Sequence, residues 1–212
     1  MNYLYLHGFA SGPKSTKAAD LFDRFAQQGI DLNIPDLNQP DFFDLTLTRQ
    51  IQQCEAILAT EPNAWTILGS SLGGLVAAWL GQQNPNNVER IVLLAPAFEF
   101  LPHWQQQIGP AQLEQWQTDG FIEVYHHVEG RSLPLGYAFW TDASQYNEAD
   151  LNRPVPTLIL HGVNDEVIPV DASRRYAAQR PWCKLLEMQS DHGLTDVLPE
   201  IWAATQRFCT IA

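Results

Sequence analysis

Basic residues are in short supply: Lys and Arg total 12 against 24 Asp and Glu in 212 residues, a formal charge of −12. A chain so acidic repels phosphate backbones and anionic lipid headgroups. No cluster of Lys and Arg offsets that field, so nucleic acid is not expected as a partner. The acid surplus reads as solubility and points to no substrate. Cysteine is scarcer still. Cys54, Cys183 and Cys209 are odd in number, far apart and outside any CxxC or Cys/His spacing. That excludes a disulfide framework and a zinc site of the usual kind, and leaves three free thiols expected in a reducing compartment.

Long apolar runs are missing too, since nothing approaches the roughly 18 residues that a membrane span requires. Residues 1–9 have no basic leader and too short an apolar stretch for a signal core, so export is not expected and a cytoplasmic location is. HExxH, GxGxxG and GxxxxGK patterns are absent. With them goes any positive case for zinc, a nicotinamide or a nucleoside triphosphate, and neither a metal nor another cofactor is expected.

What is present is the composition of a packed protein, 45% hydrophobic and 17% charged, at a length suited to one domain over residues 1–212. Short runs rich in β-branched and aromatic residues fall at 3–6, 64–68, 91–94, 157–160 and 184–188, with a weaker one at 31–34. They alternate little between apolar and polar, as strands covered on both faces should. Segments of helical period separate them: 15–28, 44–60, the apolar stretch from Leu72, 170–179 and 196–208. This order predicts an α/β architecture, a mostly parallel sheet flanked by helices. The alternation fails between Pro96 and Pro156, where Trp104, Trp116, Tyr125, Tyr137, Phe139, Trp140 and Tyr146 gather among glycines and prolines. Residues 97–155 are therefore expected to form an insertion over one edge of the sheet, with its aromatics as a local core and a lid over a substrate pocket.

Gly69-Ser70-Ser71-Leu72-Gly73 fits GxSxG and sits where a predicted strand meets a predicted helix. By composition alone such a match arises on the order of once in ten or more chains of this length, so its context carries more weight than its pattern. A nucleophile on a tight strand-to-helix turn needs small neighbours so that the backbones can approach, and Gly69 and Gly73 supply them. A serine hydroxyl is a weak nucleophile and needs a base. His192, in Ser190-Asp191-His192-Gly193 after the last predicted strand, is the candidate. The base needs a carboxylate to hold its tautomer. Asp165, just after the strand at 157–160, is preferred over its competitors Glu166 and Asp191, the latter because side chains adjacent in sequence usually diverge. Two backbone N–H groups should face the oxyanion. Leu72 offers one, and Phe9 or Ala10 the other, with Phe9 chosen; Gly8 is expected to bend that loop tightly. His7 reads as a structural histidine bonded within the same loop.

Phe9, Ser71, Asp165 and His192 all follow the carboxyl ends of different predicted strands, where parallel α/β sheets place their sites. The chain order Ser, Asp, His is that of α/β hydrolases. In YLHGF near the start, GSSLGG around Ser71, LHGVNDEVIP around Asp165 and SDHGL around His192, the sequence resembles the small esterases of the YqiA/YcfP-like group, across nearly its whole length. The resemblance implies an α/β-hydrolase fold, a Ser71–Asp165–His192 triad, Phe9 and Leu72 at the oxyanion hole, activity on esters or thioesters and no cofactor. The partner implied is a small-molecule ester or thioester. The alternatives are amide or peptide cleavage on the same triad, or a non-catalytic protein of this fold that binds a small ligand. Activity is expected to fall in acid, because a protonated imidazole cannot accept the serine proton.

Overall fold

The computed structural model describes residues 1–61 and 64–211. Six strands form one sheet in the order β2–β1–β3–β4–β7–β8, every neighbouring pair parallel. They are β1 (Asn2–Leu6), β2 (Leu32–Asn33), β3 (Trp65–Ser70), β4 (Val88–Leu94), β7 (Thr157–Gly162) and β8 (Cys183–Met188). Both β3 and β7 are buried at every residue. Burial on both faces is what the absence of alternation in the sequence implies. β3 runs two residues past its expected end, to Ser70, and so carries the chain to the position before Ser71.

Helices α1 (Thr16–Gln27), α2 (Leu47–Leu58), α3 (Leu72–Gln83), α6 (Val170–Ala178) and α7 (Leu198–Cys209) occupy the expected segments, most of them shorter than expected. The α2 helix begins three residues late because the Thr46 side chain accepts a hydrogen bond from the Arg49 N–H and caps it there. Successive strand residues face opposite sides. Leu4, Leu6, Ile91, Leu93 and Ile159 pack toward α2, α3 and α6, whereas Tyr3, Tyr5, Val92, Leu94, Leu158 and Leu160 pack toward α1 and α7. No helix among the described residues is long and apolar enough to cross a membrane.

Residues 97–155 are not irregular, and they leave the sheet from its middle, between the neighbouring strands β4 and β7. They contain α4 (Phe100–Asp119), an antiparallel hairpin of β5 (Phe121–His126) and β6 (Arg131–Gly136), and α5 (Ala138–Ala143). In α4, Gly109 adopts φ 74° and ψ 166° just before Pro110, and this pair breaks the helix in two. The segment is tied down by polar contacts. Thr48 of α2 donates from its N–H and its hydroxyl to the Asp142 carboxylate. The buried Arg180 guanidinium donates to the carbonyls of Leu151, Tyr176 and Glu148.

Candidate active site

β3 ends at Ser70 and α3 begins at Leu72, which leaves a single residue to reverse the chain. Ser71 does so with φ 54° and ψ −120°, a backbone state that costs a non-glycine residue on the order of 1–3 kcal/mol and persists only where its surroundings enforce it. The enforcement is visible. The Ser71 N–H donates to the Leu94 carbonyl at 2.9 Å, and the Ser71 carbonyl accepts from Gly74, Leu75 and Ala97. A Cβ on Gly73 would overlap the carbonyl oxygens of Leu6 and His7, and one on Gly69 would overlap the Gly73 carbonyl. Glycine at both positions therefore lets β1, β3 and α3 close together and thrusts Ser71 outward.

His192 lies in the loop after β8. Its Nε2 is 3.1 Å from Ser71 Oγ and its Nδ1 is 2.7 Å from Asp165 Oδ2. A carboxylate at Nδ1 keeps the proton on that nitrogen, which leaves Nε2 to accept from the serine hydroxyl. The loop is braced by Asp191, whose Oδ1 accepts from the N–H groups of Gly193 and Leu194. Ser190 adds a hydroxyl donated to Asp196. Asp191 thus shapes the histidine loop, and Glu166 is exposed at the surface. Of the three carboxylates weighed in the sequence, Asp165 is the one that meets His192.

Asp165 is buried and its oxygens are well supplied with donors. Oδ1 accepts from the N–H groups of Val167 and Ile168 at 2.9 and 2.8 Å, and Oδ2 faces His161 Nε2 at 3.1 Å as well as His192. Burial by itself would raise this carboxyl, but donation from His161, His192 and the Ile168 N–H outweighs it and holds Asp165 well below the usual carboxylate range. His161 is fully buried. Its Nε2–H points at Asp165 and the Ile168 carbonyl, and its Nδ1 accepts from the Ser173 hydroxyl at 2.8 Å. Sequence reasoning assigns His161 no role. The available signal was its place at the end of β7, four residues before Asp165.

The N–H groups of Phe9 and Leu72 donate to no protein group among the described residues, and both residues line a cavity with Ser71. The tight bend expected at Gly8 falls instead at Ala10, with φ 49°. Gly8 serves by its small size, since a Cβ there would lie 3.2 Å from Ser71 Cβ. His7 is bonded in its own loop and beyond it: Nδ1–H donates to the Gly8 carbonyl at 3.0 Å, and Nε2 accepts from the Leu37 N–H at 2.9 Å. Burial lowers its pKa, in keeping with a neutral ring that couples the β1 loop to the loop after β2.

Ser71 opens onto two cavities of different character. One, about 300 Å³, is walled by Phe9, Leu72, Phe100, Trp104, Phe139 and Ile168. The rings of Phe9, Trp104 and Phe139 are mutually 5.4 to 5.9 Å apart, in tilted and edge contacts. The other, about 380 Å³, is lined by His192 and by mostly polar residues. A further cavity of about 360 Å³ lies between α3, α4 and α6, and neither Ser71, Asp165 nor His192 lines it. Among the described residues no three His, Cys, Asp or Glu side chains converge to hold a metal.

The sequence matches the family described as uncharacterised protein family UPF0227 over residues 2–209. It is 26% identical over 168 residues to a pimeloyl-acyl-carrier protein methyl ester esterase of Aromatoleum aromaticum, covering 62% of this chain and 67% of that one. Among solved structures, the α/β-hydrolase domain-containing protein 10 from mouse superposes with a TM-score of 0.80 at 18% identity, over 100% of this chain and 90% of that one. Est1E from Butyrivibrio proteoclasticus, in a structure with ferulic acid bound, superposes with a TM-score of 0.79 at 19% identity, over 98% and 89%. The fold is that of the α/β hydrolases.

Proposed function

From the geometry of its site, we propose that this chain, which belongs to the UPF0227 family, is a serine esterase or thioesterase acting through an acyl-enzyme intermediate. The observation that carries this reading is the line of contacts from Ser71 Oγ through the His192 ring to the Asp165 carboxylate, 3.1 and 2.7 Å. Ser71 Oγ attacks the carbonyl carbon and gives its proton to His192 Nε2. Asp165 steadies the imidazolium, and the Phe9 and Leu72 N–H groups receive the negative oxygen. His192 then protonates the departing oxygen or sulfur. Water, deprotonated by the same ring, attacks the acyl-serine, the carboxylic acid departs and the serine proton is restored. The relative named as a methyl ester esterase supports this chemistry.

The apolar cavity beside the oxyanion donors is suited to an apolar acyl group, and its volume of about 300 Å³ lies at the small end of ligand sites, which favours short to medium chains. Residues 97–155 serve as a lid, since Phe100, Trp104, Ile122, Val124 and Phe139 all come from that segment. A panel of p-nitrophenyl esters of increasing acyl length tests the reading. Turnover should be greatest with short to medium chains, and Ser71→Ala should abolish it while leaving the circular dichroism spectrum unchanged. Full turnover by Ser71→Ala would overturn the assignment.

A further inference from the structure

Of the two cavities at Ser71, the one beside His192 has a composition at odds with the rest of the molecule. The chain carries twice as many acidic as basic residues, yet among the described residues no Asp or Glu lines this cavity, and Lys17 does. Lys17 Nζ donates to the Gly193 carbonyl at 2.7 Å and makes no other hydrogen bond or ion pair among the described residues. Two of its three N–H donors are left free. Burial lowers the Lys17 pKa to about 8, against the pull of Asp191 and Asp165, neither of which comes within ion-pairing distance.

Two further features aim donors into the same space. The 12-residue helix α1 begins here, with Ser15 at its N-cap making no side-chain cap bond and with Thr16 among the lining residues. Such a terminus favours negative charge. Beneath it, the Tyr5 side chain is fully buried and lines the cavity, and its hydroxyl lies beside those of Ser70 and Ser15 without a hydrogen bond of normal geometry to any group among the described residues. An unpaired buried hydroxyl is costly unless something bonds it.

Which half of the substrate this cavity receives follows from the chemistry of His192. The ring must hand its proton to the departing oxygen or sulfur, so the leaving group sits against His192. His192 lines this cavity and not the apolar one. We propose that the cavity formed by Lys17, the start of α1 and Tyr5 is a subsite for a small anionic leaving group, an alcohol or thiol that bears a carboxylate or a phosphate. This rests on the esterase reading of Ser71. The acyl C–O or C–S bond breaks as the Ser71 Oγ–C bond forms, and the leaving group departs with the proton carried by His192 while Lys17 and the helix terminus hold its anion.

The test compares three butanoyl esters: that of 3-hydroxybenzoate, that of 3-hydroxyphenyl phosphate, and that of methyl 3-hydroxybenzoate as the neutral control. Relative kcat/KM is the readout, so that any general effect of Lys17 on the histidine loop cancels. Wild type should favour at least one anionic ester over the neutral one by roughly tenfold, the scale of one charge-assisted hydrogen bond at a half-buried site. The arm that shows it identifies the anion. Lys17→Met should bring the ratio close to one, Lys17→Arg should retain most of it, and Tyr5→Phe should lower it by roughly twofold to threefold. Equal turnover of all three esters by wild type, or an undiminished ratio in Lys17→Met, would overturn the subsite and leave the esterase intact. Absence of turnover on every ester would count against the esterase reading itself.

Discussion

The six-stranded sheet and the segment spanning residues 97–155 solve different problems with different sequences. Strands β3 and β7 are buried at every position, and the chain just beyond the carboxyl ends of β3, β7 and β8 carries Ser71, Asp165 and His192. Hairpin strand β5 is buried on one side only, with Ile122, Val124 and His126 turned inward and Phe121, Glu123 and Tyr125 outward. The sheet thus brings Ser71, His192 and Asp165 within hydrogen-bonding distance of one another, while the inserted segment contributes surface, most of it aromatic. On the proposed reading, chemistry belongs to the first region and choice of acyl group to the second, and substitutions should separate the two.

The greatest effect is expected in the sheet-borne loops. His192→Ala should lower kcat by at least about 10³-fold on every ester, whatever its acyl chain, because the base is lost and not the pocket. Steady-state kinetics across the ester panel checks this, and a loss confined to long-chain esters would erase the division of labour. Next comes the scaffold itself. Gly73→Ala drives a methyl group into the Leu6 and His7 carbonyls and should cost at least about 3 kcal/mol, read as a lowered denaturation midpoint.

In the inserted segment the expected losses are smaller and selective. Trp104 edges both Phe9 and Phe139 at the apolar cavity. Trp104→Ala should lower kcat/KM for a butanoyl ester by roughly tenfold and for an acetyl ester by less, as a missing pocket wall does. Equal losses on both would show that Trp104 acts through the reacting groups.

The smallest difference lies in how the regions respond to pH. Burial raises Glu148, in the inserted segment, to about 7 from an ordinary value of 4.5. The folded chain therefore keeps a proton that the unfolded chain releases. That contribution to stability is complete below about pH 4.5 and is lost as pH rises through about 7, on the order of 1 kcal/mol once solvent access is allowed for. Asp165 has the opposite sign: its depressed pKa contributes stability above the ordinary carboxylate range, and this is lost as pH falls. Chemical denaturation of Glu148→Gln between pH 5 and 8 should show a flatter profile than wild type.

How much of this the sequence discloses also follows the division. Doubly covered strands announce themselves as unbroken apolar runs, and a small-residue turn between such a run and an apolar helix marks Ser71. The positions of Asp165 and His192 follow from strand ends. His161 escapes notice because its role depends on a buried contact with Asp165 at 3.1 Å, which its place four residues before Asp165 hints at but does not by itself establish. The hairpin is hidden because its outward positions include Phe121 and Tyr125, so the period of two in burial has no counterpart in hydropathy. Helix α4 is masked by Pro102, Gly109 and Pro110 within a single run. The bend of the oxyanion loop falls on Ala10 and not on glycine, against the usual steric preference.

Labelling with a fluorophosphonate, followed by peptide mass spectrometry, bears most directly on whether the Ser71 hydroxyl is activated by the ring beside it. The folded protein should take up one equivalent of probe, all of it on the peptide containing Ser71, and His192→Ala should take it up far more slowly. Probe recovered on a different serine, or on none, would contradict the mechanism.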